Sequence, residues 1–202
     1  NSLKEAVLNN IGNTYLKKGD YGNALRNFNR LLENDHLKLN SKANYARALD
    51  NNAYCKLLMK DTVNVANSLK EALKIRENQD NISGIVISKI HFAHYYAYAQ
   101  DTLKAITSAK EANALAKGIR NGRDFLETLS LLSRLDPKNS ASYLKRHIDF
   151  SDSLIIVERK IQNKFIRIAY ETDEYIEETQ RLSYQKTLII SISFLIVLVL
   201  AF

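Results

Sequence analysis

His91 and His94 stand three residues apart in the stretch HFAHYYAYAQ, close enough on a helix to share a metal ion. A zinc site needs three or four ligands at defined spacing. That stretch holds no Cys, Asp or Glu, so aromatic packing between helices is the expected role of the pair and no metal is expected. Cys55 is the one cysteine of the chain, which rules out an internal disulfide or a zinc cluster. His36 and His147 fall near helix ends. KGIRNGRD, with Gly118 and Gly122, reads as a helix C-terminus and a loop. No nucleophile–base pair, phosphate-binding glycine loop or carboxylate dyad stands out. The segment is therefore expected to have no catalytic activity and no cofactor. A net charge of +7 is spread along the chain without a basic block, the pattern of a solvated helical surface and not of a nucleic-acid binder.

Whatever these residues do, helices must position them. The chain has 46% hydrophobic residues but six Gly, one Pro and no Trp. So few chain breakers argue against an all-β fold and for long helices with short connections. Residues 8–31 show the first pair. Leu8, Ile11 and Tyr15 mark one helix face, with Gly12 on it as a point of close approach. Gly19-Asp20 ends that helix, Gly19 being suited to a left-handed cap. Ala24, Phe28 and Leu31 stripe the second helix, with Ala24 expected to face Gly12. Weaker copies follow. Leu49, Ala53 and Leu57, a Lys60-Asp61 turn, and Ala66, Leu69 and Leu73 make the second. Phe92, Ala93 and Tyr96, a Gln100-Asp101 turn, and Ala105, Ala109 and Ala112 make the third. Leu129 and Leu132, an Asp136-Pro137 turn, and Tyr143, Leu144 and Ile148 make the fourth.

Leu8, Ile11, Gly12, Tyr15, Ala24 and Phe28 resemble the tetratricopeptide repeat in register, with Leu31 in place of the last Ala. The alanines Ala24, Ala66 and Ala105 are spaced more widely than the family period of 34. HEAT-like repeats fit that spacing but not the first unit's pattern. The resemblance implies an all-α, tetratricopeptide-like α-solenoid of about four helical hairpins over residues 1–152, with a concave groove that takes a protein or peptide ligand. Carried over position by position, the groove residues it implies are Asn9, Asn13 and Lys17, then Arg47, Asp50 and Tyr54, then Ile87, Ile90, His94 and Tyr98. Some relatives clamp a C-terminal carboxylate there. Asn13 and Asn51 match that clamp, but Asn9 stands where it needs Lys, and Ile87 and His91 where it needs cations, so no such clamp is expected.

No Pro or Gly interrupts residues 138–202, which read as one long helix. Residues 153–186 form its linker or transmission part. Leu154, Ile161, Ile168, Tyr175, Leu182 and Ile189 recur every seventh residue, and Ile161, Ile168, Tyr175 and Leu182 are expected to face another protein surface. The positions three residues on (Val157, Lys164, Glu171, Glu178 and Gln185) are mostly polar, so a strong autonomous coiled coil is not expected. Arg159, Lys160, Lys164 and Arg167 precede an acidic block from Glu171 to Glu178. Residues 187–202 (TLIISISFLIVLVLAF) carry no charge, Pro or Gly. A span needs about 20 apolar residues, so this segment reads as a truncated transmembrane helix, and the chain as a fragment whose start at Asn1 is not native.

The stretch from Lys164 to Glu174 (KFIRIAYETDE), between the repeats and an apolar segment, resembles the bacterial membrane-anchored tetratricopeptide sensor histidine kinases. Lys164, Phe165, Arg167, Ile168, Tyr170, Glu171, Thr172, Asp173 and Glu174 carry the resemblance. It implies periplasmic repeats, attachment to the inner (cytoplasmic) membrane through the C-terminal helix, and a two-component kinase domain beyond residue 202. It also implies a homodimer of the full-length protein. Two alternatives stay open: a membrane-tethered scaffold for protein assembly, and the sensor part of a membrane-bound helix-turn-helix regulator.

Overall fold

The structure is a computed structural model that describes the backbone of residues 2–200 and the side chains of residues 4–192. Every regular element among them is helical. In chain order they are α1 (Ser2–Lys17), α2 (Tyr21–Leu32), a short α3 (Asp35–Asn40), α4 (Lys42–Leu58), α5 (Val65–Glu77), α6 (Ile82–Tyr98), α7 (Thr102–Gly118), α8 (Gly122–Leu135), a single 3-10 turn (Pro137–Asn139) and α9 (Ser140–Leu200). The fold is all-α. Two compact units divide the chain, one running through Asp149 and the other starting at Phe150.

In the first unit α1 packs on α2, α4 on α5 and α6 on α7, and successive hairpins meet through α2 on α4 and α5 on α6. The turns explain this regularity. Gly19, Lys60, Asp80, Gln100 and Arg120 all have positive φ. After each, the next N–H bonds back five residues: Asp20 to Tyr15, Asp61 to Lys56, Asn81 to Arg76, Asp101 to Tyr96, Asn121 to Ala116, at 2.9–3.0 Å. This bond satisfies a carbonyl that the helix end would leave open. Short polar residues then start the next helix. Asp20, Asn81, Asp101 and Asn121 each accept a hydrogen bond from the backbone N–H three residues on, which satisfies an orphan donor. Counting Ser41 and Asp61, such residues recur every 20 or 21 positions.

The buried stripes share one spacing. Ala24, Phe28 and Leu31 on α2, Val65, Leu69 and Ala72 on α5, and Ala105, Ala109 and Ala112 on α7 are all buried. The second stripe thus starts at Val65 and not at Ala66, and Leu73 is half-buried beside it. Phe28, fully buried, lies directly over Gly12: a Cβ there would come within 2.5 Å of the ring. The aromatic ring, and not Ala24, fills the space that Gly12 leaves, and Cys55 closes the same cluster.

The fourth pairing differs from expectation. α8 packs on α7, where the buried Asn113 donates to Thr128 Oγ1 at 2.8 Å. The start of α9 is held by Tyr143, whose hydroxyl lies 3.3 Å from Asp136 Oδ2, and by Arg146 over the Phe125 ring. Tyr143 is buried, but Leu144 and Ile148 are exposed. With these two uncovered, the expected second stripe of hairpin four is not a core stripe.

In the second unit α9 continues without a break. Ile161, Ile168, Tyr175 and Leu182 are exposed on it. No helix among the described residues is long and apolar enough to cross a membrane. The side chains from Ser193 on, and Ala201 and Phe202 altogether, lie outside the described residues, so that part of the apolar tail is not described.

Candidate functional site

The first helix of each hairpin lies on one side, and between α1, α4, α6 and α8 runs a groove of about 980 Å³. Asn9, Asn13 and Lys17 of α1, Arg47 and Tyr54 of α4, and Ile87 of α6 line it. These are six of the residues named from the repeat pattern. The others fall elsewhere. Ile90 is buried in the core, Asp50 is fully buried, and His94 and Tyr98 lie outside the lining. His94 instead tilts against Tyr54, its ring centroid 5.3 Å away. His91, which does line the groove, stacks flat on Tyr54 at 4.1 Å and 9°. The two histidines therefore flank one tyrosine. Among the described residues no three His, Cys, Asp or Glu come together as a metal site.

The groove floor is polar and buried. Asn51 Nδ2 donates to Asn9 Oδ1 at 3.1 Å, while the Nδ2 of Asn9, buried, has no partner. Beneath it lies a charged cluster that the repeat pattern does not announce. Arg76, on α5, is nearly fully buried. Its Nη1 donates to Asp50 Oδ2, to Gly84 O at 2.8 Å and to Ser88 Oγ at 2.6 Å. Two protons serve three oxygens, so one contact is shared. Arg76 fits because residue 84 is glycine: a Cβ there would meet the Arg76 side chain at 2.8 Å. His91 Nδ1 sits 3.3 Å from the same Asp50 oxygen, an ion-pair distance, but in a geometry that makes no hydrogen bond.

Burial alone would raise the Asp50 carboxyl. The charges of His91 and Arg76, with the Arg76 hydrogen bond, outweigh it and hold the group below its usual range. Tyr54 is pushed up, first by burial and then by the charge of Glu127. His94 is pushed down to about 4, chiefly by burial, with His91 and Arg134 adding cationic repulsion. The Asp124 carboxyl is raised by burial. Burial lifts Cys55 to about 11, which makes the thiol inert as a nucleophile at neutral pH.

The far wall was not legible in the sequence. Arg123, Asp124 and Glu127 of α8 line it, together with Asn81 and Ser83 at the start of α6. Four of these, all but Glu127, belong to helix starts, and the cap spacing of 20 residues was the signal that could have placed them. What the groove offers is a mixed set: amide and guanidinium donors from α1 and α4, carboxylate acceptors from α8, and the Tyr54–His91 stack between them. That set suits an elongated polar ligand with apolar contacts. It holds no activated nucleophile. No protein-family model matches the chain, and no curated protein is similar to it at a significant level.

Proposed function

We propose that the first unit is a tetratricopeptide-like α-solenoid whose groove binds a protein or peptide segment, and that the chain is the input part of a membrane-bound signal-transduction protein. One observation carries the binding reading. Residues from the first helices of three successive hairpins converge on one groove, where the amides of Asn9, Asn13 and Asn51, the Arg47 guanidinium and the carboxylates of Asp124 and Glu127 offer donors and acceptors to a ligand backbone. Peptide carbonyls recur along an extended chain at the spacing a groove of side-chain donors needs. The repeat reading is supported by the shared i, i+4, i+7 stripes and by the common turn geometry.

The signalling reading rests on α9 and on the resemblance of Lys164–Glu174 to the linker of membrane-anchored sensor kinases. α9 has 61 residues, about 90 Å of helix at 1.5 Å per residue. A helix without Gly or Pro passes on displacement that a flexible tether would dissipate. In this reading the repeats stand outside the inner membrane, the uncharged residues from Thr187 on enter it, and a histidine kinase is the output. The test is selection of a random peptide library on the chain held in lipid nanodiscs. Enriched peptides should lose binding at least tenfold on Asn9→Ala and on Tyr54→Ala. Peptides that bind these variants as well as the wild type would place the site elsewhere.

A further inference from the structure

We infer that the groove selects a segment of mixed charge, with an acidic side chain of the ligand against Arg47, a basic one against Glu127 and an apolar one against Ile87 between them. The inference rests on the peptide-binding reading above and adds which peptides fit. Arg47, Ile87 and Glu127 follow one another at intervals of 40 positions on α4, α6 and α8, and all three line the groove. That interval is the repeat of this region. Asn81 and Asn121, which cap α6 and α8, are separated by it. So are Tyr54 and His94, whose rings meet at 5.3 Å between α4 and α6. Residues at this interval hold equal positions on neighbouring helices, so the three side chains form one row across the groove.

Charge is divided along that row. Among the described residues, α1 and α4 contribute Lys17 and Arg47 to the lining and no carboxylate. α8 contributes Asp124 and Glu127, three residues apart and therefore on one face. The other charges of the groove are answered within the protein. Arg76 holds Asp50. Arg123 acts on Asp124, which also accepts from Asn121 Nδ2 at 2.7 Å. Lys17 lies in the last turn of α1, beside the open carbonyls of a helix end. Arg47 and Glu127 remain. Both are exposed, and among the described residues neither stands in an ion pair or a hydrogen bond. The charge of Glu127 reaches Tyr54 on α4, so this carboxylate is directed into the groove.

The two charges are too far apart to answer each other. α4 touches α6 and α6 touches α8. Packed helix axes lie about 8–10 Å apart, so two steps separate Arg47 from Glu127 by about 16–20 Å. An extended chain covers that distance in about six residues at roughly 3.3 Å each. Six is an even number, so side chains that far apart point to the same side of the ligand, and the positions between that share this side meet Ile87. A wholly acidic segment would set a carboxylate against Glu127 and Asp124. A wholly basic one would set an ammonium against Arg47 and Lys17.

The experiment presents the full chain in lipid nanodiscs with arrayed peptides of about ten residues, uncharged except at two positions six apart. Those positions carry Glu and Lys in either order, two Glu, two Lys or two Gln. One order of Glu and Lys should bind the wild type at least tenfold more tightly than the peptides with two Glu, two Lys or two Gln. In Arg47→Glu the preference should pass to two Lys, and in Glu127→Lys to two Glu. With both substitutions together the preferred order of Glu and Lys should invert, a result that lost packing would not give. Equal binding of every set by the wild type, or one preference shared by all variants, would overturn the charge assignment. If that binding is still lost in Tyr54→Ala, the groove reading stands without it. No binding by any set overturns both.

Discussion

Replacing Arg76 by Met should be among the most damaging single changes in the first unit, and pairing it with Asp50→Leu should undo most of the damage. Arg76→Met removes the guanidinium that holds Asp50, a fully buried carboxylate, together with the bonds to Gly84 O and Ser88 Oγ. Removing one partner of a buried ion pair costs about 3–5 kcal/mol, because the other charge stays in the interior. Asp50→Leu alone strands the buried guanidinium and should cost a similar amount. In the double variant both charges are gone and the side chains keep roughly their volume. Such replacements are often neutral, and the lost bonds to Ser88 and Gly84 add about 1–2 kcal/mol. The coupling energy should therefore be at least about 4 kcal/mol in magnitude. Urea unfolding followed by circular dichroism near pH 7 measures all four proteins. Asp50 titrates below its usual value of 3.8 in the folded protein. Its stabilising contribution is therefore full above the unfolded value and lost as pH falls through the lower folded one. In Arg76→Met burial is opposed by one cation fewer, so Asp50 takes up its proton at higher pH than in the wild type, and the gap between the two proteins should narrow as pH falls and be smallest below about pH 4. Single variants within about 1 kcal/mol of wild type, or a double variant that loses the sum of both, would refute the buried pair.

Three further outcomes follow from the packing and the turns. Phe28→Ala should cost about 3–5 kcal/mol, and Gly12→Ala about 1–3 kcal/mol by pushing on the Phe28 ring; a loss under about 1 kcal/mol for the first would move Phe28 out of the core. Lys60→Gly and Gln100→Gly should each stabilise by about 0.5–1 kcal/mol, since both residues hold a left-handed conformation that glycine adopts freely; destabilisation in thermal melts would contradict those turns. His94 is held neutral by burial, so its folded value of about 4 lies below the ordinary 6.5. The unfolded chain binds the extra proton, and stability should fall as pH drops from 6.5 towards 4, by about 2 kcal/mol at pH 5. His94→Gln should flatten that fall, and an unchanged pH profile would show that His94 is not the group responsible.

In the first hairpin Gly12, Gly19, Ala24 and Phe28 were readable, since they are residue types with few other uses at that spacing, but the expected face of α1 was not: Ile11 is exposed, and Phe28 rather than Ala24 covers Gly12. Later hairpins were blurred by chemistry that hides the turns. Gly19 advertises its left-handed cap, while Lys60, Asp80, Gln100 and Arg120 adopt the same conformation without a glycine. Val65 and Ala66 are adjacent small apolar residues, and sequence alone could not choose which heads the stripe; the left-handed Asn64 before them sets the phase. The Asp50–Arg76 pair was hidden for a different reason. Arg76 is the fourth member of the buried stripe that begins Val65, Leu69, Ala72. A charged residue at such a position reads as the end of an apolar face until its partner on α4 is seen. Six of the residues named from the repeat pattern line the groove, because helical periodicity puts residues three and four apart on one face. His94 and Tyr98 were misplaced into the groove because aromatic residues late in α6 fit packing and ligand contact equally well in sequence.

Isothermal titration of a library-selected peptide into the wild type and into Asn9→Ala reads whether the groove is the binding surface. Binding to the wild type should be micromolar or tighter and weaken at least tenfold in Asn9→Ala and in Tyr54→Ala, while Leu103→Ala on the exposed start of α7 has no effect. Equal affinity for all four proteins, or binding that fails only in Leu103→Ala, would contradict a binding surface in the groove.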